Sequence, residues 1–142
     1  MNDAEIRFLT LEEVIILHTD QIERYGGSPG IRDEGLLRSA HAQAEAQFGG
    51  AYLHDSIVAM AAAYLYHLVQ NHPFIDGNKR IGAAAATAFL AFNGYEINSS
   101  VSEYSAGTTQ TPFEKVVLDV AQGKMTKELL RKWIEQELAP AQ

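Results

Sequence analysis

A short interruption between two long helical patterns constrains the fold of this chain more than any other feature. Over residues 56–71, apolar side chains recur at helical spacing, at Ile57, Met60, Ala61, Tyr64, Leu65 and Leu68. A second helical pattern begins near Gly77 and runs to about residue 93, where Gly94 fits the position just past a helix C-terminus. Because Pro73 cannot continue the first helix, the sequence predicts two helices joined by a loop of only a few residues.

The remaining segments are also mostly helical in pattern. Further helices are predicted from the capping box Thr10–Glu13 to the Gly26–Gly27 break, over about 34–47 behind an Asp33 cap, over Pro112–Ala121 and over 126–138. Residues 95–101 could form a short strand or a loop, and residues 102–112 have the composition of a loop. The last three or four residues are expected to fray. The pattern as a whole predicts an all-α fold.

Length and composition limit the class of protein. With 142 residues, of which 46% are hydrophobic, the chain can bury a real core, and we expect a single domain over residues 1–142. The absence of cysteine excludes a disulfide framework and a thiolate metal site. It also agrees with a reducing cytoplasm, the expected location. The start of the chain, residues 1–5, is polar and acidic and predicts no secretory signal.

Charge and hydropathy disfavour two kinds of partner. A net charge of −7 argues against direct binding of nucleic acid through bulk electrostatics. The alanine-rich stretch 81–92 is too short to cross a membrane, so no membrane partner is expected. On this acidic background, the adjacent cations Lys79 and Arg80 are a local positive feature.

The loop between the two central helices carries groups suited to phosphoryl or nucleotidyl transfer. His72 falls at or just beyond the end of the first helix, and a histidine can take a proton from an attacking hydroxyl at neutral pH. Asp76 supplies a hard carboxylate of the kind that holds Mg²⁺ beside a polyphosphate. A general base and a metal ligand are thus predicted within one loop.

The start of the second helix is suited to binding phosphate. A helix N-terminus has unpaired backbone N–H groups and the positive end of the helix dipole. Gly77 allows close approach of the backbone to a ligand, and Asn78 can donate from its amide. Lys79 and Arg80 add charge, and the Arg80 guanidinium can hold two phosphate oxygens at once. These four residues form the predicted phosphate cradle.

Each of these residues alone also has an ordinary structural interpretation. His72 could simply end a helix, Asp76 could be an N-cap, and residues 78–80 could be a solvated first turn. The combination favours a binding site, because two cations at the positive end of a helix are locally unfavourable. An anionic ligand would remove that conflict, and conflicts of this kind tend to mark functional sites.

The run His-Pro-Phe-x-x-Gly-Asn-Lys-Arg over residues 72–80 resembles the core motif of the Fic/Doc family, and its Lys-Arg ending resembles the death-on-curing (Doc) branch. The resemblance extends over nearly the whole chain. Supporting landmarks are the segments 8–14, 30–37, 48–50 and 93–95. It implies a compact Fic/Doc-like helical bundle with its active-site loop between two central helices, and a toxin of a bacterial toxin–antitoxin module.

By position in the motif, the resemblance implies a role for each residue. His72 would be the general base and Asp76 the Mg²⁺ ligand, with Arg80 the third catalytic residue. Residues 77–80 would bind the phosphates of ATP, and Phe74 would anchor the loop in the core.

Two departures from the AMP-transferring pattern favour the Doc branch. Fic-type AMP transferases usually have glycine where this chain has Lys79, and a second arginine where it has Ala83. Doc-type activity is kinase-like, so the resemblance implies transfer of the γ-phosphoryl group to a hydroxyl of a target protein. The implied target belongs to the translation machinery, with elongation factor Tu the first candidate.

A separate antitoxin is the expected means of control. Many Fic proteins carry an inhibitory helix with the pattern Ser/Thr-x-x-x-Glu followed by Gly or Asn. Residues 19–23 and 99–103 match its first part, but Arg24 and Tyr104 follow them. The segment 48–53, with two glycines and Tyr52, suits either a mobile flap that holds a protein segment or a tight loop with buried aromatics.

Other interpretations remain open at this stage. The chain could be a Fic-type AMP transferase, against which Lys79 and Ala83 count. It could instead be a weakly catalytic module whose main task is to bind an antitoxin, although the intact His72, Asp76 and Arg80 count against that. A metal-dependent hydrolase is a distant alternative. His67 is interpreted as a packing residue or local hydrogen-bond partner, and Arg32 as a possible support of the site.

Overall fold

The computed structural model describes residues 5–142 and is mostly helical. Its α-helices are α1 (Leu11–Tyr25), α2 (Glu34–Ala42), α3 (Ile57–Asn71), α4 (Asn78–Phe92), α5 (Ser99–Ser102), α6 (Pro112–Ala121) and α7 (Lys127–Gln136). Its short strands are β1 (Gln47–Phe48), β2 (Ala51–Tyr52), β3 (Tyr95–Ile97) and β4 (Leu138–Pro140). The segment Met1–Ala4, part of the stretch in which no secretory signal was expected, lies outside the described residues.

Helices α3 and α4 form the centre of the bundle, as the sequence predicts. Helix α3 is buried along most of its length and packs against α2, α4, α6 and α7. Small side chains allow α4 to approach it closely. At Gly82, a Cβ atom would lie 2.6 Å from Val69 Cγ2 and 3.2 Å from the Leu65 carbonyl oxygen. The glycine therefore sets the closest approach of the two helices that flank the predicted active-site loop.

Local capping signals explain where most helices begin. A side chain accepts a hydrogen bond from the first turn of five helices, at Thr10, Asp33, Ser56, Thr111 and Thr126. Helix α4 differs, because its N-cap is Gly77 and no side chain caps it. Its first-turn N–H groups are therefore left without the side-chain acceptor that satisfies the corresponding groups elsewhere.

The chain is less purely helical than the sequence predicts. Helix α2 ends at Ala42 and a 3₁₀ turn follows at Gln43–Glu45, where a helix to residue 47 was expected. Strands β1 and β2 form an antiparallel hairpin across Gly49 and Gly50, both of which have positive φ. Over residues 95–101, where a strand or loop was left open, β3 is followed by the single-turn helix α5.

The expectation of a frayed C-terminal tail is wrong for most of that tail. Strand β4 pairs with β3 in antiparallel register, with Leu138 opposite Ile97 and Pro140 opposite Tyr95. The Ala141 N–H also donates to the Gly94 carbonyl at 3.0 Å. These backbone hydrogen bonds order the end of the chain, and α7 correspondingly stops at Gln136 rather than at residue 138.

Most of the buried apolar side chains of the described residues form one cluster, to which α1 to α4, α6, α7 and β3 contribute. Within residues 5–142, no helix is long and apolar enough to cross a membrane.

Candidate active site

His72 lies at the C-cap of α3 in a left-handed conformation, with φ 53° and ψ 49°. This conformation is unusual for a residue with a Cβ atom, and helices more often place glycine or asparagine there. Arg32 fixes the turn, since its Nε donates to the His72 carbonyl at 2.6 Å and its Nη2 to the Asn71 carbonyl at 3.0 Å. The His72 side chain is exposed and makes no hydrogen bond with other described residues. It is therefore free to meet a substrate.

The loop after His72 is held by the segment that precedes α2. Phe74 forms an isolated antiparallel bridge with Ile31. The Pro73 carbonyl accepts from the backbone N–H groups of Arg32 and Asp33, at 2.7 and 3.0 Å. These contacts fix the loop as an extended segment against a second stretch of chain, although the two are about forty positions apart in the sequence.

Two side chains fix Phe74 itself. It is 1% exposed, and its ring stacks on the buried imidazole of His18 with a centroid distance of 3.7 Å and an interplanar angle of 9°. Asn78 binds its backbone on both sides, since Asn78 Oδ1 accepts from Phe74 N–H and Asn78 Nδ2 donates to Phe74 O, each at 2.9 Å. The predicted anchor role of Phe74 agrees with this burial. The Asn78 amide, predicted as a phosphate donor, is engaged within the loop.

Asp76 is exposed and presents a charged carboxylate. Backbone N–H groups of Ser28 and Gly77 donate to its two oxygens, at 3.2 and 2.8 Å, and these bonds lower its pKa. On the other side of the residue, His18 Nε2–H donates to the Asp76 carbonyl at 2.7 Å. Burial lowers the pKa of His18, and the nearby Arg80 charge lowers it further, so this histidine is a neutral donor that orients the loop.

Arg80 is directed toward the end of α1. Its Nη1 donates to the carbonyl oxygens of Gln21 and Gly26, at 3.2 and 2.9 Å. A cation is favourable at the C-terminal carbonyls of a helix, so the protein itself offsets part of the charge conflict that the sequence suggested. Arg80 Nη2 makes no hydrogen bond within the described residues, and Lys79 is exposed without an ion-pair partner there. Lys79 is thus the cation that most needs an external anion.

Gly27 allows the three parts of the site to meet. A Cβ atom at this position would lie 2.7 Å from Asp76 Oδ2 and 3.0 Å from Arg80 Nη2, and φ is +115°. The neighbouring Gly26 also has positive φ, but a Cβ atom there would meet nothing within 4 Å. Only glycine at position 27 leaves room for the carboxylate and the guanidinium side by side.

The donor set at the loop matches one kind of metal site. Within residues 5–142 no group of three or more His, Cys, Asp or Glu side chains could hold a metal ion, so a site made by protein ligands alone is not present there. Mg²⁺ usually needs only one or two carboxylates, because waters and substrate phosphates supply the other oxygens. Asp76, exposed and charged beside an uncapped helix N-terminus, fits such a shared site.

Comparison with known proteins supports the interpretation of the motif. The sequence model of the Fic/DOC family matches residues 8–90. The chain belongs to the Fic/DOC family. Within that family it is similar to two Doc proteins, the Protein kinase doc of Escherichia phage P1 and the Toxin Doc of Mycolicibacterium smegmatis.

The similarity to the two Doc proteins differs in extent. The phage protein is 34% identical over 95 residues, which are 67% of this chain and 75% of the phage protein. The mycobacterial protein is 41% identical over 73 residues, which are 51% of this chain and 56% of that protein. The match to the family runs from before α1 into the last turn of α4, and therefore includes every residue of the candidate site described above.

Some residues of this Fic/DOC site were not predicted from the sequence as part of it. His18 could have been noticed, because it is a polar residue on the buried face of α1 between Val14 and Ile22. Around Gly27 the sequence indicated only a turn. Two cavities of about 510 and 250 Å³ are lined by residues outside the motif.

Proposed function

We propose that this protein is a Doc-type toxin that transfers the γ-phosphoryl group of ATP to a hydroxyl of a target protein, using Mg²⁺. The observation that carries the proposal is the uncapped N-terminus of α4, which lies beside the charged carboxylate of Asp76 and beside Lys79, whose amine has no ion-pair partner among residues 5–142. A polyphosphate would satisfy the free N–H groups, the helix dipole and the lysine together.

Four residues of the loop and of the start of α4 have a part in the proposed reaction. His72, exposed and held at the end of α3 by Arg32, would take the proton of the target hydroxyl. The α4 N–H groups, Lys79 and the free Nη2 of Arg80 would hold the transferred phosphoryl group. Asp76 would hold Mg²⁺, which neutralises phosphate charge during transfer. Catalysis of phosphoryl transfer depends mainly on such positioning and charge stabilisation.

Two residues favour γ-phosphoryl transfer over AMP transfer. Lys79 fills the position where glycine would leave room for the α-phosphate pose, and it adds a charge at the helix N-terminus. Ala83, one turn further along α4, cannot supply the second arginine expected in an AMP transferase. The name of the phage relative, Protein kinase doc, agrees with this choice. The proposed target is a component of the translation machinery, with elongation factor Tu tested first.

Labelled ATP separates the two chemistries. The purified protein is incubated with a bacterial lysate, or with purified elongation factor Tu, and ATP labelled at the α or the γ position. We expect γ label on a protein, an increase in intact mass equal to one phosphate, and loss of the signal on chelation of Mg²⁺. Label that arrives from the α position only would overturn the kinase proposal in favour of AMP transfer. His72→Ala serves as the matched inactive protein.

We also propose that a cognate antitoxin neutralises the protein by docking near the β1–β2 hairpin. The support is local, since Phe48 is 84% exposed and Leu53 is 62% exposed, and both are large apolar side chains. Expression of this chain alone should arrest bacterial growth, and co-expression of the adjacent small reading frame should restore it. Phe48→Ser should weaken the rescue. Harmless expression of the unaltered chain would favour a weakly catalytic binding module.

A further inference from the structure

A second group of polar side chains lies between α3 and α7, outside the motif. Lys127 Nζ is 3.0 Å from His54 Nε2 and 3.1 Å from His67 Nε2. Lys127 is the first residue of α7, His67 lies on α3, and His54 precedes α3. No carboxylate of the described residues pairs with Lys127. Two imidazoles therefore take the place of the usual ion-pair partner.

The hydrogen bonds of this group leave one position of the lysine nitrogen unoccupied by protein acceptors. An uncharged lysine nitrogen has two N–H bonds and one lone pair. If both N–H bonds point to the imidazole Nε2 atoms, the lone pair faces away from both rings. The charged form has a third N–H bond, for which the described residues supply no acceptor, so that bond is left to the solvent of the cavity. In both forms the two Nε2 atoms accept from the lysine. The two imidazoles must then be neutral and carry their protons on Nδ1.

Burial acts on all three groups in the same direction. It lowers the pKa of Lys127 below its ordinary value. Burial and the Lys127 charge lower the pKa of His67 to about 4, and they also lower that of His54. His54 Nδ1 is buried and makes no hydrogen bond with the described residues, although the nearby Gln43 backbone raises the pKa of the ring. Burial therefore raises the uncharged fraction of Lys127 above that of an ordinary lysine.

The lysine lines a cavity large enough for a small reactant. The cavity has a volume of about 510 Å³ and is lined by His54, Asp55, Lys127 and Arg131, among others. Arg131 is already bound to Glu128 and Glu135, at 2.6 and 2.9 Å, so it offers little to an anionic ligand. The reactive feature of the cavity is therefore the Lys127 amine, and not a positively charged site for anions. An amine in contact with neutral bases is the arrangement of an activated lysine nucleophile.

We propose that Lys127 is a site of covalent acylation by an activated acyl compound, such as an acyl phosphate. In the step, the Lys127 nitrogen attacks the acyl carbon and forms the C–N bond of an amide. The bond from that carbon to the phosphate oxygen breaks, and phosphate leaves with the electron pair. One amine proton passes by way of the Nε2 of His67 or His54 to solvent, so no charge stays on the imidazoles. The product amide has a single N–H, so it can no longer bind both imidazoles and loosens the contact between α7 and α3.

The five lysines of the chain allow an internal comparison. The intact protein is treated with acetyl phosphate at neutral pH, and the remaining amines are then acetylated with deuterated acetic anhydride under denaturing conditions. Mass spectrometry of peptides gives the extent of reaction at Lys79, Lys115, Lys124, Lys127 and Lys132. We expect Lys127 to react at least about threefold faster than the mean of the other four. Equal or slower reaction at Lys127 would overturn the proposal, and this result needs no variant.

Two histidine variants test the part played by the imidazoles. His67→Leu removes one acceptor and should bring the rate at Lys127 down toward that of Lys132. His41→Gln is the matched control, because His41 Nε2 donates to the Leu9 carbonyl at 2.7 Å and does not contact Lys127. It should leave the Lys127 rate unchanged. An unchanged rate in a folded His67→Leu protein would also contradict the proposal.

Discussion

Asn78 forms both available backbone hydrogen bonds of Phe74, one from the Phe74 N–H to its Oδ1 and one from its Nδ2 to the Phe74 carbonyl, each at 2.9 Å. The amide is 4% exposed at the first position of α4, and Phe74 is 1% exposed. The pair therefore joins the start of α4 to the loop that carries Asp76, and sets how far the carboxylate lies from the helix N-terminus.

Replacing Asn78 should reduce stability as well as activity. Asn78→Ala leaves a buried N–H and a buried carbonyl of Phe74 without partners, and each such group costs about 1–3 kcal/mol. We expect the free energy of unfolding, measured by urea titration, to fall by roughly 2–4 kcal/mol. Lys79→Ala is the control, since that side chain is exposed and should change stability by less than about 0.5 kcal/mol. An Asn78→Ala protein as stable as the original would show that the two hydrogen bonds are not maintained in solution.

Features that depend on neighbours in the sequence were predicted correctly. The Thr10 and Asp33 caps, the start of α3 at about residue 56 and the break at Pro73 all follow from residues within one turn of the site they control. The motif likewise placed the loop between two central helices.

Features that depend on distant parts of the chain were not predictable in this way. Strand β4 needs a partner more than forty residues earlier, so its last residues resemble a free tail when considered alone. Arg80 donates to the carbonyls of Gln21 and Gly26, and no residue near position 80 in the sequence indicates these partners. For Asn78 the sequence gives the residue type but not the orientation of the side chain. The amide points toward the Phe74 backbone rather than toward solvent.

His72 should show opposite effects on activity and stability. As general base it should contribute about 10²–10⁴-fold to transfer, so His72→Gly should lose most phosphoryl transfer while ATP binding stays nearly intact. Its left-handed backbone suits glycine, and its side chain makes no hydrogen bond with the described residues. Stability should therefore be unchanged or higher by up to about 1 kcal/mol. Transfer kinetics and thermal unfolding of the same preparation test both parts, and near-normal transfer would remove His72 from its proposed role.

Gly27→Ala should damage the site more than Gly26→Ala. Both glycines have positive φ, so both substitutions strain the backbone by a similar amount, on the order of 1 kcal/mol. Only the new Cβ at position 27 meets Asp76 and Arg80, at 2.7 and 3.0 Å. We expect similar losses of stability in the two variants, but at least about tenfold lower transfer for Gly27→Ala, because small displacements of a catalytic group are costly. Equal activities would mean that Asp76 and Arg80 adjust freely.

Stability should fall with acidification in a window set by the buried histidines. The pKa of His67 is lowered from its ordinary value of 6.5 to about 4, and those of His18 and His54 are also lowered. At pH values between about 4 and 6.5, the unfolded chain binds more protons than the folded protein. The stabilising contribution of His67 is therefore fully present above pH 6.5 and is lost as the pH falls toward about 4. For His67 the loss should be on the order of 1–2 kcal/mol after allowance for solvent screening.

His67→Gln keeps an acceptor for Lys127 but cannot titrate, so urea midpoints measured at pH values inside the window should depend less on pH in this variant. The carboxylates with lowered pKa, such as Asp76, lose their charge mainly below the window. The same pH dependence in both proteins would assign the acid sensitivity to groups other than His67.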